Sequence, residues 1–482
     1  MTVLAIDQGT SGTKAIIVDG AGSVLSIEEV EVRPDYLPGG GVEQDPAALL
    51  DSVLEAGRRA VSAAGDPPVR AVALANQGET VLAWDPETGA PLSRAIVWQD
   101  RRAATICAGM AAYEDAIARR TGLVLDPYFS APKMAWLRQN ATTEGVITTT
   151  DTWIVHQLTG QFVTDASTAS RSLLLDLDSV AWDEELLTMF NLQDEAMPRI
   201  VASDEIVGTT TAFGSEAPMA GLIVDQQAAL FAQSCLTPGS AKCTYGTGAF
   251  LLANTGTTAH RSTKGLTTSV AWSARGTTSY CLDGQVYTAG SAIRWLTDLG
   301  LLAGPSALDA TVAKDSGGVM FVPALAGLGA PWWRSQARAA FTGMSLSSRP
   351  GHLVKAVAEG VAAQVAELID VVGSDLGQAP ATLRVDGGLA HSSALMQAQA
   401  DLSQIPVEVY PSTNATALGC AAMARLAVDP EQSVGDAIAP WTPSVTYEPR
   451  WSADRAADHR DRWRHAVDAM SGAQAPRMEN PQ

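Results

Sequence analysis

Three short glycine-rich runs stand at the ends of apolar segments, and each has a composition suited to holding phosphate. They are Asp7-Gln8-Gly9-Thr10-Ser11-Gly12-Thr13-Lys14, Thr244-Tyr245-Gly246-Thr247-Gly248 and Val385-Asp386-Gly387-Gly388. Glycine lets backbone N–H groups close on an oxyanion, the Thr10, Ser11 and Thr13 hydroxyls can donate, and Asp7 can hold a hydrated Mg2+. One such run alone is equally an ordinary hairpin turn rich in Gly, Ser and Thr. One per half of the chain, plus a late strand-Asp-Gly-Gly, matches the way duplicated ATPases clamp phosphates and adenosine.

Two further constellations could supply the acceptor chemistry. In Gly221-Leu222-Ile223-Val224-Asp225-Gln226-Gln227-Ala228 an apolar strand delivers an acid to the start of a helical run. A carboxylate there can take the proton of a substrate hydroxyl during in-line phosphoryl transfer, or it can simply cap the helix. In Ala75-Asn76-Gln77-Gly78-Glu79-Thr80 and Ile96-Val97-Trp98-Gln99-Asp100, Glu79 can accept hydrogen bonds from a polyol while Trp98 packs on its carbons. A solvated turn and a core tryptophan would read the same way.

Composition narrows the classes. The 482 residues carry 32 Lys and Arg against 52 Asp and Glu, so 32 − 52 = −20, a field that repels nucleic acid and anionic membrane. Phosphate must then be held locally, by backbone N–H groups, hydroxyls and a divalent cation. Cys107, Cys235, Cys243, Cys281 and Cys420 are widely spaced and odd in number, which fits reduced, buried thiols better than disulfides or a zinc site. MTVLAIDQGT has no basic leader and no run of about 18 apolar residues occurs, so a cytoplasmic location with no membrane partner is expected.

The elements that must position these residues are legible as patterns. Val3 to Ile6, Ala15 to Val18 and Val24 to Val32 read as three strands of a meander. Asp45-Pro46 opens a helix with Leu49, Leu50, Val53 and Leu54 on one face, and Val72 to Ala75 and Val81 to Trp84 return as strands. Residues 103–158 carry mainly helical spacing. Near Ala241 the strand, glycine turn, strand pattern restarts, with Thr267 to Ala271 and Ser279 to Leu282 following. A helix over Leu353 to Val372 and a buried strand at Leu383 to Val385 come next, and the chain after about 440 reads as a terminal helix and frayed tail. The expectation is an α/β protein of two duplicated units, 1–233 and 234–482, whose hairpin turns face each other across a cleft.

Assembled, these residues resemble the FGGY carbohydrate kinase family, most closely its glycerol kinase branch. The likeness runs nearly end to end. It is carried by Asp7-Gln8-Gly9-Thr10, by Ala95 to Arg102, and by Pro127-Tyr128-Phe129-Ser130 with Lys133 and Trp136. It continues through Asp225 to Phe231, Thr244 to Phe250, Gly327-Leu328-Gly329-Ala330-Pro331 and Arg384 to Gly388. The resemblance implies two actin/hexokinase-like (ribonuclease H-like) ATPase domains around an interdomain cleft, with Mg-ATP phosphorylating a terminal hydroxyl of a small polyol or sugar. It implies Asp225 as base, and Gly78, Glu79, Trp98, Tyr128, Asp225, Gln226 and Phe250 as the polyol pocket. Nucleotide would meet Thr10, Ser11, Thr13, Lys14, Gly246, Thr247, Gly290, Ile293, Gly388 and Ser392, with Asp7 holding Mg2+ through water. A homodimer or higher homo-oligomer is implied as well.

Three departures from the family pattern shape the substrate expectation. Gly78 stands where glycerol kinases carry an Arg, which removes a donor, should open volume beside Glu79 and points to a four- or five-carbon polyol or ketose. Ser392 stands where an Asn lies near adenine, and the stretch 212–218 has no Arg, so inhibition by a sugar bisphosphate is not expected. Two alternatives stay open: a pentulose (xylulose-type) kinase, and an actin-like ATPase that uses nucleotide to drive partner binding.

Overall fold

The computed structural model describes residues 1–472, and the chain beyond them, where the frayed tail was expected, lies outside the described residues. Two large twisted sheets dominate. The N-terminal sheet has six strands in the spatial order Gly208–Thr210, Ala217–Val224, Ala71–Asn76, Val3–Gln8, Gly12–Val18, Val24–Glu31. Its first three strands form the antiparallel meander, and Val3–Gln8 runs parallel to Ala71–Asn76, which runs parallel to Ala217–Val224. The C-terminal sheet repeats the plan. Ala241–Tyr245 pairs antiparallel with Ala249–Gly256 and parallel with Leu383–Asp386, which pairs parallel with Val407–Val409. It differs by one more antiparallel strand, Thr267–Ala274, at its edge.

Alternation along each strand explains how the layers stack, because successive side chains leave opposite faces. Leu4 and Ile6 point into one core with Leu49 and Val53 of the helix Pro46–Ala63, whose N-cap Asp45 accepts the Ala47 N–H at 2.9 Å. Val3 and Ala5 point the other way, into a core shared with Ala417, Cys420 and Ala421 of the helix Ala415–Val428. That helix comes from the C-terminal half of the chain, so the two halves share one of their cores. In the C-terminal sheet Ala241, Cys243 and Tyr245 pack against the helix Pro350–Leu376, which leaves Lys242 and Thr244 on the opposite face. All five cysteines are free and buried.

The helix Asp225–Ala232, which carries the candidate base, lies against Ala415–Val428 so closely that a Cβ on Gly419 would stand 1.9 Å from the Ala228 carbonyl oxygen. Gly419→Ala must therefore force the two helices apart. Thermal unfolding should show a loss of about 1–3 kcal/mol, the usual range for overpacking a close contact, and kcat should fall with it because residue 225 rides on one of the displaced helices.

Two strands depart from the sequence expectation. Val146–Thr149 interrupts the helical stretch and joins a five-stranded sheet with Val81–Trp84, and Val445–Tyr447 forms an edge strand before the terminal helix Ala453–Gly472. Each is three or four residues long, too short to show a period of two, and each is fixed by pairing with a strand remote in sequence. Among the described residues no helix is long and apolar enough to cross a membrane.

Candidate functional site

The ends of the parallel strands open into a cavity of about 300 Å³ between the halves. From the N-terminal half it is lined by Thr10, Ser11, Gly78, Glu79, Trp98, Tyr128, Asp225 and Gln226. From the C-terminal half come Thr244, Gly246, Thr247, Phe250 and Arg294. A second cavity of about 600 Å³ adjoins it through Tyr36, Trp98, Gln99 and Tyr128 and continues past Val42, Ala104, Tyr287 and Leu325.

Local structure accounts for each position. Gly9 N–H bonds the Gly12 carbonyl at 3.0 Å, closing the first turn, while Gln44 Nε2 donates to the Thr10 carbonyl and the Trp98 indole N–H donates to Thr10 Oγ1 at 2.8 Å. The second turn is braced from behind, since Gly290 N–H bonds the Gly246 carbonyl at 2.9 Å and Ser291 N–H bonds the Thr247 carbonyl at 3.1 Å. The third requires glycine. Gly387 has φ +89, and a Cβ there would meet the Tyr245 carbonyl oxygen at 2.5 Å.

Trp98, Tyr128 and Phe250 form an edge-to-face aromatic corner, with ring centroids 5.6 Å apart for Trp98 and Tyr128 and 6.0 Å for Trp98 and Phe250. Lys133 supports it from below. Fully buried, it donates to the carbonyls of Pro127 at 3.0 Å, Tyr128 and Phe129 at 2.7 Å, and burial brings its pKa down to about 7. Glu79 adopts a left-handed backbone, φ 61, a strained conformation for a non-glycine residue that is concentrated at functional positions.

Asp225 is the first helical residue, not the cap. The cap position is Val224, and Asp225 Oδ1 accepts the Gln226 N–H at 2.6 Å. Its pKa is raised by burial, with Lys242 pulling the other way. Asp7 is pushed up to about 7, first by burial and then by Asp225, with Lys14 opposing; Glu29 and Asp386 add to the rise. Acids within electrostatic reach of one another form a field that favours a cation. No group of three or more His, Cys, Asp or Glu among the described residues converges closely enough to hold a metal directly.

Not every expected residue reaches the cavity wall. Thr13 is buried with its hydroxyl 2.6 Å from Ser52 Oγ, and Ile293 is buried in the core behind the second turn. Lys14 stands opposite Asp7 in the hairpin register. Ser392 caps the helix Ser393–Ser403 and donates to Asp309 at 2.5 Å, so its hydroxyl is committed. Gly290 starts the helix Gly290–Asp298 that braces the second turn, and Gly388 follows Gly387 at the end of the third.

The volume expected beside Glu79 is not open. On the side its Cβ would take, a Cβ on Gly78 would lie 3.2 Å from Val224 Cγ2 and in ordinary contact, 3.8 Å, with Cδ and Nε of Arg171, which hydrogen-bonds Glu79. Arg171 was not legible as a site residue, and neither was Lys242, whose Nζ donates to Gln226 Oε1 at 2.6 Å and to Thr244 Oγ1 at 2.8 Å. The one signal for Lys242 was a lone cation inside the apolar strand Ala241–Tyr245, and for Arg171 a lone cation in a run of Ser, Thr, Ala and Leu.

The comparisons with known proteins agree across the chain. The N-terminal domain of the FGGY family of carbohydrate kinases matches residues 2–232, and the C-terminal domain of the same family matches 241–428. Glycerol kinase 2 of Thermotoga maritima is 39% identical, over 98% of this chain and 99% of that protein. Among solved structures, glycerol kinase of Plasmodium falciparum with ADP superposes with a TM-score of 0.90 at 31% identity, covering 98% and 99% of the two chains. A ligand-bound xylulose kinase of Lactobacillus acidophilus reaches a TM-score of 0.87 at 20% identity, covering 98% and 99%, a likeness of fold alone.

Proposed function

The chain belongs to the FGGY family of carbohydrate kinases, and on that premise we propose that it uses ATP to phosphorylate a terminal hydroxyl of a small polyol with Asp225 as general base. One observation carries the reading: Asp225, Glu79 and the aromatic corner share a single cavity with the phosphate-type turns at Thr10-Ser11 and Gly246-Thr247. An ATPase that drives partner binding has no use for the polyol half of that cavity.

The residues divide the work by chemistry. Asp225, its pKa raised from the ordinary carboxylate value by burial, is a competent acceptor for the proton that leaves the substrate hydroxyl as its oxygen bonds phosphorus. Glu79 and Gln226 fix the neighbouring hydroxyls, and Trp98, Tyr128 and Phe250 cover the carbon chain. The Thr10 and Ser11 hydroxyls and the backbone of Gly246 and Thr247 receive phosphoryl oxygens. Asp7 would hold Mg2+ through water, and that cation supplies neutralisation of charge on the phosphates. A homo-oligomeric state rests on the family likeness.

The adjoining 600 Å³ cavity supports an acceptor longer than three carbons. ADP release should be measured with glycerol, erythritol, a five-carbon polyol, D-xylulose and a six-carbon sugar. The expected order puts a four- or five-carbon polyol at or above glycerol, with xylulose weak. A clear preference for glycerol returns the substrate to three carbons, and a preference for xylulose moves the reading to the pentulose class. An ATPase rate indifferent to every acceptor overturns it.

A further inference from the structure

Arg171 lies outside the cavity wall, yet it touches two residues that form it. Only 5% exposed, its guanidinium donates from Nε to Glu79 Oε1, from one terminal nitrogen to Asp283 Oδ2 at 2.6 Å and from the other to the Tyr128 hydroxyl at 3.4 Å. Glu79 and Tyr128 belong to the N-terminal half, whereas Asp283 lies in the strand Thr277–Val286 of the C-terminal sheet. Asp283 Oδ2 also accepts from Gln285 at 2.7 Å, while its Oδ1 is buried without a hydrogen-bond partner among the described residues. A planar, permanently charged fork suits such a shared site because its donors leave in fixed directions.

We infer that Arg171 is the positioning residue of the polyol pocket: tied to the C-terminal sheet through Asp283, it holds Glu79 and Tyr128 in the orientation that meets substrate hydroxyls, and it fills the space that a longer side chain at position 78 would need. Gly78 borders the same arrangement: its Cβ would stand 3.2 Å from Val224 Cγ2 and in ordinary contact with Arg171 at 3.8 Å. The cation has an electrical duty as well. Burial raises Glu79 to about 7, with Arg171 the largest opposing influence, Lys133 the next, and Asp225 raising it again. Tyr128 and, through Arg171, Asp283 complete the charged and titratable groups around it. A protonated Glu79 has lost acceptor capacity, so the pocket's affinity follows the state that Arg171 helps to maintain.

This inference rests on the polyol kinase reading, and its test separates the two. The affinity of the ADP-bound enzyme for the polyol turned over fastest in the acceptor panel is measured by calorimetry from pH 5.5 to about 9. An Asp225→Asn background keeps that carboxylate from titrating in the same window. In that background Arg171→Met should weaken polyol binding at neutral pH by about 10- to 100-fold, the loss expected for a charge-assisted hydrogen bond, and move the pH midpoint upward. Affinity for ADP should not change. Arg171→Lys should restore most of the midpoint, and Asp283→Asn, which removes a neighbouring anion at constant shape, should move it downward.

Midpoints that stay in place while polyol and ADP affinity fall together would overturn the inference in favour of a merely structural arginine. Should Arg171→Met fail to fold, Asp283→Asn decides alone, and an unmoved or upward midpoint overturns it. Failure of the unsubstituted enzyme to turn over any acceptor overturns the kinase reading instead.

Discussion

Asp225→Asn is expected to lower kcat by about 10²–10⁴-fold, the contribution of a positioned general base, while ADP affinity stays within a few-fold of the parent. The asparagine keeps the shape and the contact to the Gln226 N–H but has no site of useful basicity for the hydroxyl proton. The phosphate-facing groups on Thr10, Ser11, Gly246 and Thr247 are untouched, so calorimetry with ADP reports an intact nucleotide side. Because burial raises this carboxyl from its ordinary value, its contribution to the acid side of the kcat profile should be lost in the variant. A variant that transfers phosphoryl groups at the parental rate removes Asp225 from the mechanism.

Asp7→Asn is expected to separate stability from activity. Asp7 in the folded chain titrates at about 7 against an ordinary 3.8, so between those values the native state holds a proton that the unfolded chain has released. Stability of the free enzyme must therefore fall as pH rises through that window, on the order of 1.4 kcal/mol for each pKa unit of difference. Removing the ionisable group relieves that cost. Thermal unfolding without nucleotide should show the variant more stable than the parent at pH 8 and equal to it near pH 4. Its kcat with Mg-ATP should nonetheless drop by two orders of magnitude or more, the acid's place near Asp225 and Asp386 having been arranged for a cation. Equal stability of the two proteins at pH 8, or normal kcat, contradicts this account.

Together the two expected results would explain why the site keeps acids that weaken the fold. The chain carries a net charge of −20 and holds Asp7, Asp225 and Asp386 within electrostatic reach of one another. Such sites are retained where a ligand supplies the missing positive charge, and the enzyme is then more stable when loaded than when free.

Much of the fold follows from short-range chemistry. The meander at Val3 to Glu31 announces itself because each strand is bounded by glycine turns, and the helix Pro46–Ala63 because Asp45 and Pro46 occupy the cap and first helical position. The helix Pro350–Leu376 extends beyond the expected Leu353 to Val372 because its first turn and its last residues, Gly373-Ser374-Asp375, lack apolar spacing; Gly377 ends it with φ 73. Glu79 and Asp225 are legible as candidates because each follows an apolar strand of the parallel part of the sheet, where such sheets present their ligands, and Trp98 because it follows the short apolar strand Ala95–Ile96.

The amino-acid sequence alone determines the duplicated α/β plan, the three glycine turns and the acids at strand ends, because each depends on residues within about ten positions of one another. Only the tertiary structure decides which of them meet. Arg171 reaches Glu79 and Asp283 across separations of 92 and 112 residues, Thr244 meets Asp386 across 142, and Thr13 turns to Ser52 and away from the cleft. Those partnerships are set by how two sheets share a core through one helix of the other half, and a buried charge takes its partner from that packing, at whatever distance along the chain it lies.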